Sequence, residues 1–472
     1  MADQVDISGG HPGSTSEPIE GGSPHQFGLT AAMALIVGSI IGVGIFNLPT
    51  SLAFYGPITL VSMALTTVGA LVLALLFAAL SRRLPADGGP YAYARVAFGN
   101  RLGFTNAWSY WITAWAGNAA IAVGWVLYVE HFINTGHTKW ITVLLVLVGL
   151  WIPAVINLSG VKNMGSVQVV TTVVKFAVLA FMSTVGLFFI SSANFTPWNV
   201  SKESAINAIG GGMAIALFSY LGVETAAVAA AKVRNPDRNI PRATVLGTIA
   251  TAVVYMLSLT AVFGIVPTSK LATATAPFSD AANAIFGGSW AGNVMAIAVI
   301  VSGFGALNGW TMICAEMPLA AANDGLFPQR FKHISKNGVP AYGIVASTVL
   351  ASAAMIINYL GSNGATVFTT LVLMTGITAA IPYGFSALAQ MKWRWIDHRT
   401  LQTPRFARDM IVAVLALVFS ILFIWYSRNT GHSFWVYWAP FLLAIGALLL
   451  GIPVYLAQRR HMSQPASVPP YR

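Results

Sequence analysis

Uncharged apolar runs as long as Ile58 to Leu80, Ala243 to Val266 and Phe434 to Gln458 recur along this chain. Each reaches the roughly 20 residues that an α-helix needs to cross the hydrocarbon of a bilayer. Lipid offers no water to satisfy backbone polar groups, so such runs specify membrane helices, which bond their own backbone internally. Twelve apolar segments fall at 28–55, 57–82, 100–132, 139–157, 166–190, 204–231, 243–266, 290–321, 341–360, 366–390, 409–427 and 434–458. The composition agrees: charged residues make up 8% of the chain, where a water-soluble domain uses about 25% to cover its surface. The expected fold is all-α and integral to the membrane, with twelve transmembrane spans.

The net charge of +11 does not indicate nucleic acid, because the basic residues follow topology. Lys139, Lys202, Lys270 and Arg428 fall on one side and Lys175 inside span 5, whereas all other Lys and Arg share the opposite side. The positive-inside rule makes that richer side cytoplasmic, with both termini on it, in the cell (plasma) membrane. Residues 1–26 are polar, rich in Gly, Ser and Pro and without Lys or Arg, and are expected to be a disordered cytoplasmic tail; residues 459–472 form a second cytoplasmic tail. No basic start followed by a short apolar core precedes Phe27, so the first span is expected to be retained. Cys314 is the single cysteine and has no partner for an intramolecular disulfide. The stretch from Asp324 to Gly338 mixes Arg330, Lys332 and Lys336 with Leu326, Phe327, Phe331 and Ile334, and is expected to be a short amphipathic helix on the cytoplasmic interface.

Two spans are interrupted at their centres. Span 1 reads Gly38-Ser-Ile-Ile-Gly-Val-Gly-Ile-Phe46, and its glycines make continuous helix costly. Span 6 reads Phe218-Ser-Tyr-Leu-Gly-Val-Glu-Thr225, a glycine break beside a carboxylate. Close helix packing is the alternative use of such glycines. Glu224 weighs against it, because an ionisable side chain at bilayer depth marks function. The breaks sit five spans apart, the pattern of an inverted-repeat transporter with its site at the repeat interface. The first repeat is then 27–190, the second 204–390, and 409–458 holds spans 11 and 12 outside the repeat.

A broken helix frees N–H groups at the start of one half and C=O groups at the end of the other. A free amino acid carries a carboxylate and an ammonium on one carbon, which match those groups. The N–H groups near Gly42, Val43 and Gly44 are expected to hold the carboxylate, and the carbonyls of Ile40, Phe218 and Leu221 the ammonium.

At these residues the chain resembles the amino acid, polyamine and organocation transporter superfamily, most closely the bacterial arginine/agmatine antiporter and its basic amino acid and polyamine exchanger relatives. The likeness runs over spans 1 to 10: the span 1 glycines, Gly88-Gly-Pro-Tyr-Ala-Tyr-Ala-Arg95, Trp115-Ala-Gly-Asn118, Gly222-Val-Glu224, Asn235-Pro-Asp-Arg-Asn-Ile-Pro241, Gly309-Trp310 and Asp324-Gly-Leu-Phe-Pro328. It implies that Trp310 covers the substrate and stacks on its side chain, with Thr113, Ala114, Asn118 and Thr375 lining the same pocket. It implies that Tyr110 and Tyr383 hydrogen-bond Glu224 in a cytoplasmic gate that responds to protonation. A homodimer is implied as well. Two positions depart from the antiporter: Phe218 stands at its tryptophan and Val43 at its serine, which removes hydrogen-bond donors from the site.

Lys175 lies amid Val173, Val174, Phe176 and Val178 in span 5. A cation at that depth requires a compensating role. In proton-coupled members of the superfamily a lysine of this span replaces the sodium ion of more distant relatives. Three uses stand open for it: cycling a proton as the coupling charge, staying charged against backbone carbonyls of the span 1 break, or snorkelling along its neighbours.

The expected function is secondary active amino acid transport by alternating access, with a cationic amino acid exchanged or taken up with protons. A neutral amino acid or polyamine proton symporter is the alternative. An enzyme would need clustered His, Cys, Asp or Glu, but every His lies in a tail or loop. No metal, cofactor or nucleic acid is expected. A channel lacks a legible selectivity ring, and a non-transporting nutrient sensor has no sequence feature that separates it from a carrier.

Overall fold

The computed structural model describes residues 28–84, 88–160, 164–225, 233–401, 406–430 and 433–462. The expected tail at 1–26, most of the tail at 459–472, and Lys162, Lys232, Arg405, Arg472, His11, His25 and His432 lie outside the described residues, as do the side chains of His398 and Arg399.

The regular elements are helices, and they follow the apolar segments. Span 1 is two half-helices, α1 (Leu29–Ile40) and α2 (Gly44–Ala53). Then come α3 (Thr59–Arg83), a short α4 (Pro90–Phe98), α5 (Asn100–Val129), α6 (Lys139–Leu158) and α7 (Met164–Thr184). Span 6 opens with α8 (Ala205–Ala216). The rest are α9 (Pro236–Ile265), the short α10 (Pro277–Phe286), α11 (Trp290–Asn323), α12 (Ala341–Tyr359), α13 (Gly364–Leu401), α14 (Phe406–Tyr426), and α15 (Phe434–Leu449) continuing as α16 (Gly451–Gln458). Eleven of the described segments are long and apolar enough to cross a membrane, and Ala205–Tyr220 adds a shorter apolar one. The chain is an all-α, multi-span membrane protein.

Burial separates a core from a lipid-facing rim. In α5, 94% of the spanning window is buried, against 17% for the last span. Helix α5 packs along α13 and α11 at the centre, while Leu144, Val173, Ile421 and Leu442 project outward as bilayer contacts. Lipid is as apolar as leucine, so helices associate here through close fit rather than hydrophobic drive. At Gly305 of α11 an added Cβ would sit 2.1 Å from the Thr171 hydroxyl of α7, which shows how near the two backbones run.

The 324–338 segment corrects the expectation of an interfacial helix. Gly325, at φ +77°, ends α11 with the Leu326 N–H donating to the Ala321 carbonyl, and only Gln329–Lys332 is helical, as one 3-10 turn. Leu326 and Phe327 are fully buried, and Phe331 is nearly so. Their rings insert against Phe104, Trp108 and Trp111 of α5 and Tyr342 of α12. Burying three large apolar groups in the bundle outweighs laying them on an interface, and Pro328 prevents a longer helix. Of the four apolar residues expected on its apolar face, Ile334 is the exposed one.

Helix α13 extends well beyond the expected Gln390, because buried charges hold its end. Arg83 of α3 grips Asp397 with two nitrogens, Arg394 bonds Asp409 of α14, and Arg408 closes the chain on Asp409 at 2.9 Å. The Arg83 guanidinium also lies 5.1 Å over the Trp393 ring. Three helices thereby share one ion-pair network, each charge with an opposite partner, as burial demands.

Candidate functional site

The break in span 1 lies between Ile40 and Gly44. The Ile41 N–H still donates to the Val37 carbonyl, but the Gly42 N–H turns back to the Ile40 carbonyl at 2.8 Å, and regular helix resumes at Gly44. Such an end leaves carbonyls without intrahelical donors, and three successive ones are taken by side chains from three other helices. Gly38 accepts from the Lys175 ammonium of α7 at 2.8 Å, Ser39 from the Trp310 indole N–H of α11 at 3.3 Å, and Ile40 from the Tyr255 hydroxyl of α9 at 2.9 Å. A cation at the C-terminal end of a half-helix also complements its dipole. Lys175 is fully buried, and this bond gives its amine a hydrogen-bond acceptor there.

Span 6 breaks in the same layer. After α8 the chain makes one 3-10 turn, Leu217–Tyr220, extends at Leu221 and reverses at Gly222, whose φ of +105° excludes most other residues. A Cβ on Gly222 would lie 2.9 Å from the Ser39 carbonyl carbon, so the two breaks touch backbone to backbone. Between them is a small closed cavity lined by Ser39, Ile40, Gly42, Gly44, Gly117, Ile121, Phe218, Ser219, Leu221 and Trp310. Its volume is about 10 Å³, room for about one water. A cavity of this size is too small for an amino acid, and the Trp310 and Phe218 rings form part of its wall.

Six of the residues expected to bind substrate line this cavity: Ile40, Gly42, Gly44, Phe218, Leu221 and Trp310. The other five stand behind it. Val43 packs its side chain towards Gly303 of α11. Asn118 donates to the Thr311 hydroxyl at 3.2 Å, and its Oδ1 is buried without a hydrogen-bond partner. Thr113 bonds the Ser109 carbonyl and the Thr378 hydroxyl, Ala114 is fully buried beside it, and Thr375 bonds Leu371 while its methyl faces Gly117. The Ile40 carbonyl and the Gly42 N–H, expected to meet a substrate, are engaged with each other, and Tyr255 occupies Ile40 a second time.

Sequence reasoning missed Ser219 and Tyr255. The Ser219 hydroxyl lines the cavity, buried and without a hydrogen-bond partner. Its position inside the span 6 break was the available signal. A phenol among the apolar residues of span 7 was the signal for Tyr255. Below the cavity, Tyr110 donates to Glu224 Oε1 at 2.6 Å and Tyr383 to Oε2 at 2.7 Å, all three fully buried or nearly so. Helices α5, α13 and the span 6 break are thereby tied at one carboxylate. The cavity lining contains no ionisable side chain, and its polar groups are backbone, the Ser39 and Ser219 hydroxyls and the Trp310 indole N–H.

Residues 27–457 match the amino acid permease family. A cadaverine/lysine antiporter of Escherichia coli strain K12 is 27% identical over 85% of this chain and 89% of its own. An arginine/ornithine antiporter of Pseudomonas aeruginosa is 28% identical over 90% of both chains. The putrescine transporter PotE of Escherichia coli strain K12 is 30% identical over 77% of this chain and 83% of its own.

Proposed function

Because the chain belongs to the amino acid permease family, within the amino acid, polyamine and organocation superfamily, we propose that this secondary transporter of the cell membrane exchanges cationic amino acids by alternating access. The basic, terminus-bearing face is cytoplasmic in this reading. The observation that carries it is the meeting of two broken helices around one cavity with no ionisable side chain.

The N-terminal amides of α2, at Val43 and Gly44, receive the carboxylate, and the carbonyls of Phe218 and Leu221 with the Ser219 hydroxyl receive the ammonium. Ile40 and Gly42 join by giving up their mutual bond. The substrate's cationic end extends towards Asn118, with Thr113, Ala114 and Thr375 forming the wall behind and Trp310 stacking over it. A diamine lacks the carboxylate that the α2 amides match, which favours an amino acid over a polyamine as the principal substrate. Glu224 with Tyr110 and Tyr383 is the cytoplasmic gate: while both phenols hold the carboxylate, α5, α13 and span 6 stay together. Lys175 clamps α1 at Gly38 and carries any coupling to protons. The five-span inverted repeat, 27–190 and 204–390, and assembly as a homodimer complete the reading.

Uptake into vesicles, with and without an imposed pH gradient and with and without internal substrate, tests it. Exchange requires internal L-arginine, L-lysine or L-ornithine and proceeds without the gradient. Uptake that follows the gradient and ignores internal substrate would make the protein a symporter, and Lys175→Ala should then abolish that uptake.

A further inference from the structure

A hollow of about 500 Å³ opens on the face opposite the basic one, between the outer end of α2, the start of α8, residues 425–430 and the start of α15. That volume lies in the range of about 300–1,000 Å³ usual for small-molecule sites. Its walls bring a carboxylate and a guanidinium together among aromatic rings: Glu203 and Arg428, with Tyr55, Trp425, Tyr437 and Trp438.

The two charges have separate contacts: Arg428 is ordered by aromatic rings, and Glu203 is exposed. The Arg428 guanidinium lies 5.2 Å from the Trp425 ring centre and 5.5 Å from that of Trp438, and its Nη1 donates to the Trp425 carbonyl at 2.5 Å. Stacking of this kind orders a guanidinium while using little of its five-donor capacity. Glu203 Oε2 accepts from the Asn207 amide at 3.3 Å. No ion pair joins Glu203 to Arg428 among the described residues, although they share the hollow. Aromatic residues at a membrane interface commonly serve as anchors. An anchor does not call for a carboxylate and a cation facing one hollow without neutralising each other, whereas a ligand bearing both charges does.

We propose that this hollow is a second, peripheral binding site for a zwitterion, its ammonium on Glu203 and its oxyanion on Arg428, with the rest of the molecule against the aromatic rings. A free amino acid carries that pair of charges, and so does an ethanolamine phospholipid headgroup. The inference rests on the reading above only where it takes the ligand for an amino acid and this face for the outer one.

Equilibrium binding of radiolabelled L-ornithine and putrescine to the purified protein tests the proposal. The protein carries Gly44→Leu to block the central cavity and sits in lipid discs with or without phosphatidylethanolamine. One L-ornithine should still bind per chain. Arg428→Gln should weaken it at least tenfold and Arg428→Lys less than threefold. Putrescine, which lacks a carboxylate, should be indifferent to Arg428→Gln and weakened by Glu203→Gln. Ornithine binding in both kinds of disc identifies the free amino acid as the occupant; binding only without phosphatidylethanolamine identifies the headgroup. No binding in either disc, or equal loss of ornithine and putrescine in Arg428→Gln, overturns the site. Uptake by the Gly44→Leu variant reports separately on the central site, so the two readings fail independently.

Discussion

Gly222 lies against the backbone of Ser39, so that the turn in one broken span is seated in the break of the other. With φ at +105°, an L-residue at 222 meets strain of roughly 1–2 kcal/mol before the contact with Ser39 is counted. Gly222→Ala should insert into the membrane yet lose transport more than tenfold, because α1 must move away to make room. Vesicle uptake normalised to inserted protein measures this; an alanine variant transporting at the wild-type rate would detach the two breaks from function.

Gly44 faces the Phe218 ring, where an added Cβ would stand 2.8 Å from Cδ1. Gly44→Leu should therefore fill the cavity and abolish both uptake and the thermal stabilisation given by substrate. The cavity holds about one water, so the leucine overpacks it and should also lower the unliganded melting temperature; substrate stabilisation is therefore read against the variant's own unliganded value. Differential scanning fluorimetry with L-arginine, L-lysine and L-ornithine gives the readout.

Each carboxylate oxygen of Glu224 receives a hydrogen bond from a phenol. Glu224→Gln keeps the shape and removes the ionisable group, so transport should lose its pH dependence while some activity remains. Tyr383→Phe removes one donor to a buried carboxylate, which costs about 1–3 kcal/mol, and should loosen the gate without flattening the pH profile. A pH profile unchanged by Glu224→Gln would remove Glu224 from gating.

Asp397 neutralises Arg83, and both are buried. Asp397→Ala removes the carboxylate that Arg83 grips with two nitrogens inside the bundle and should destabilise the protein by about 3–5 kcal/mol. Thermal unfolding of the purified protein checks this. The double variant Arg83→Met with Asp397→Leu should recover part of the loss, because the apolar pair removes both buried charges while Arg394 keeps Asp409.

Much of this architecture is legible in the sequence. Span count follows from run length, and the breaks at Gly42, Gly44 and Gly222 follow from glycine where lipid punishes open backbone. Glu224 stands out because charge is scarce in an apolar span. What escapes is any feature that depends on how a helix is rotated. Inside a membrane both faces of a helix are apolar, so no periodicity tells that Tyr255 turns towards Ile40, that Gly117 rather than Asn118 faces the cavity, or that Phe327 and Phe331 fold inward. The Arg83–Asp397 pair joins residues more than three hundred positions apart, and their polarity alone assigns them equally well to a surface loop.

The three side-chain bonds to the end of α1 have a consequence for how the carrier rests between cycles. Lys175, Trp310 and Tyr255 reach consecutive carbonyls from three different helices, so tilting this half-helix must cut all three moorings. At about 1 kcal/mol apiece they bias the poise of the empty protein by roughly two orders of magnitude. An unloaded carrier is thereby kept from leaking, while a ligand of ordinary affinity retains enough leverage to cast it off.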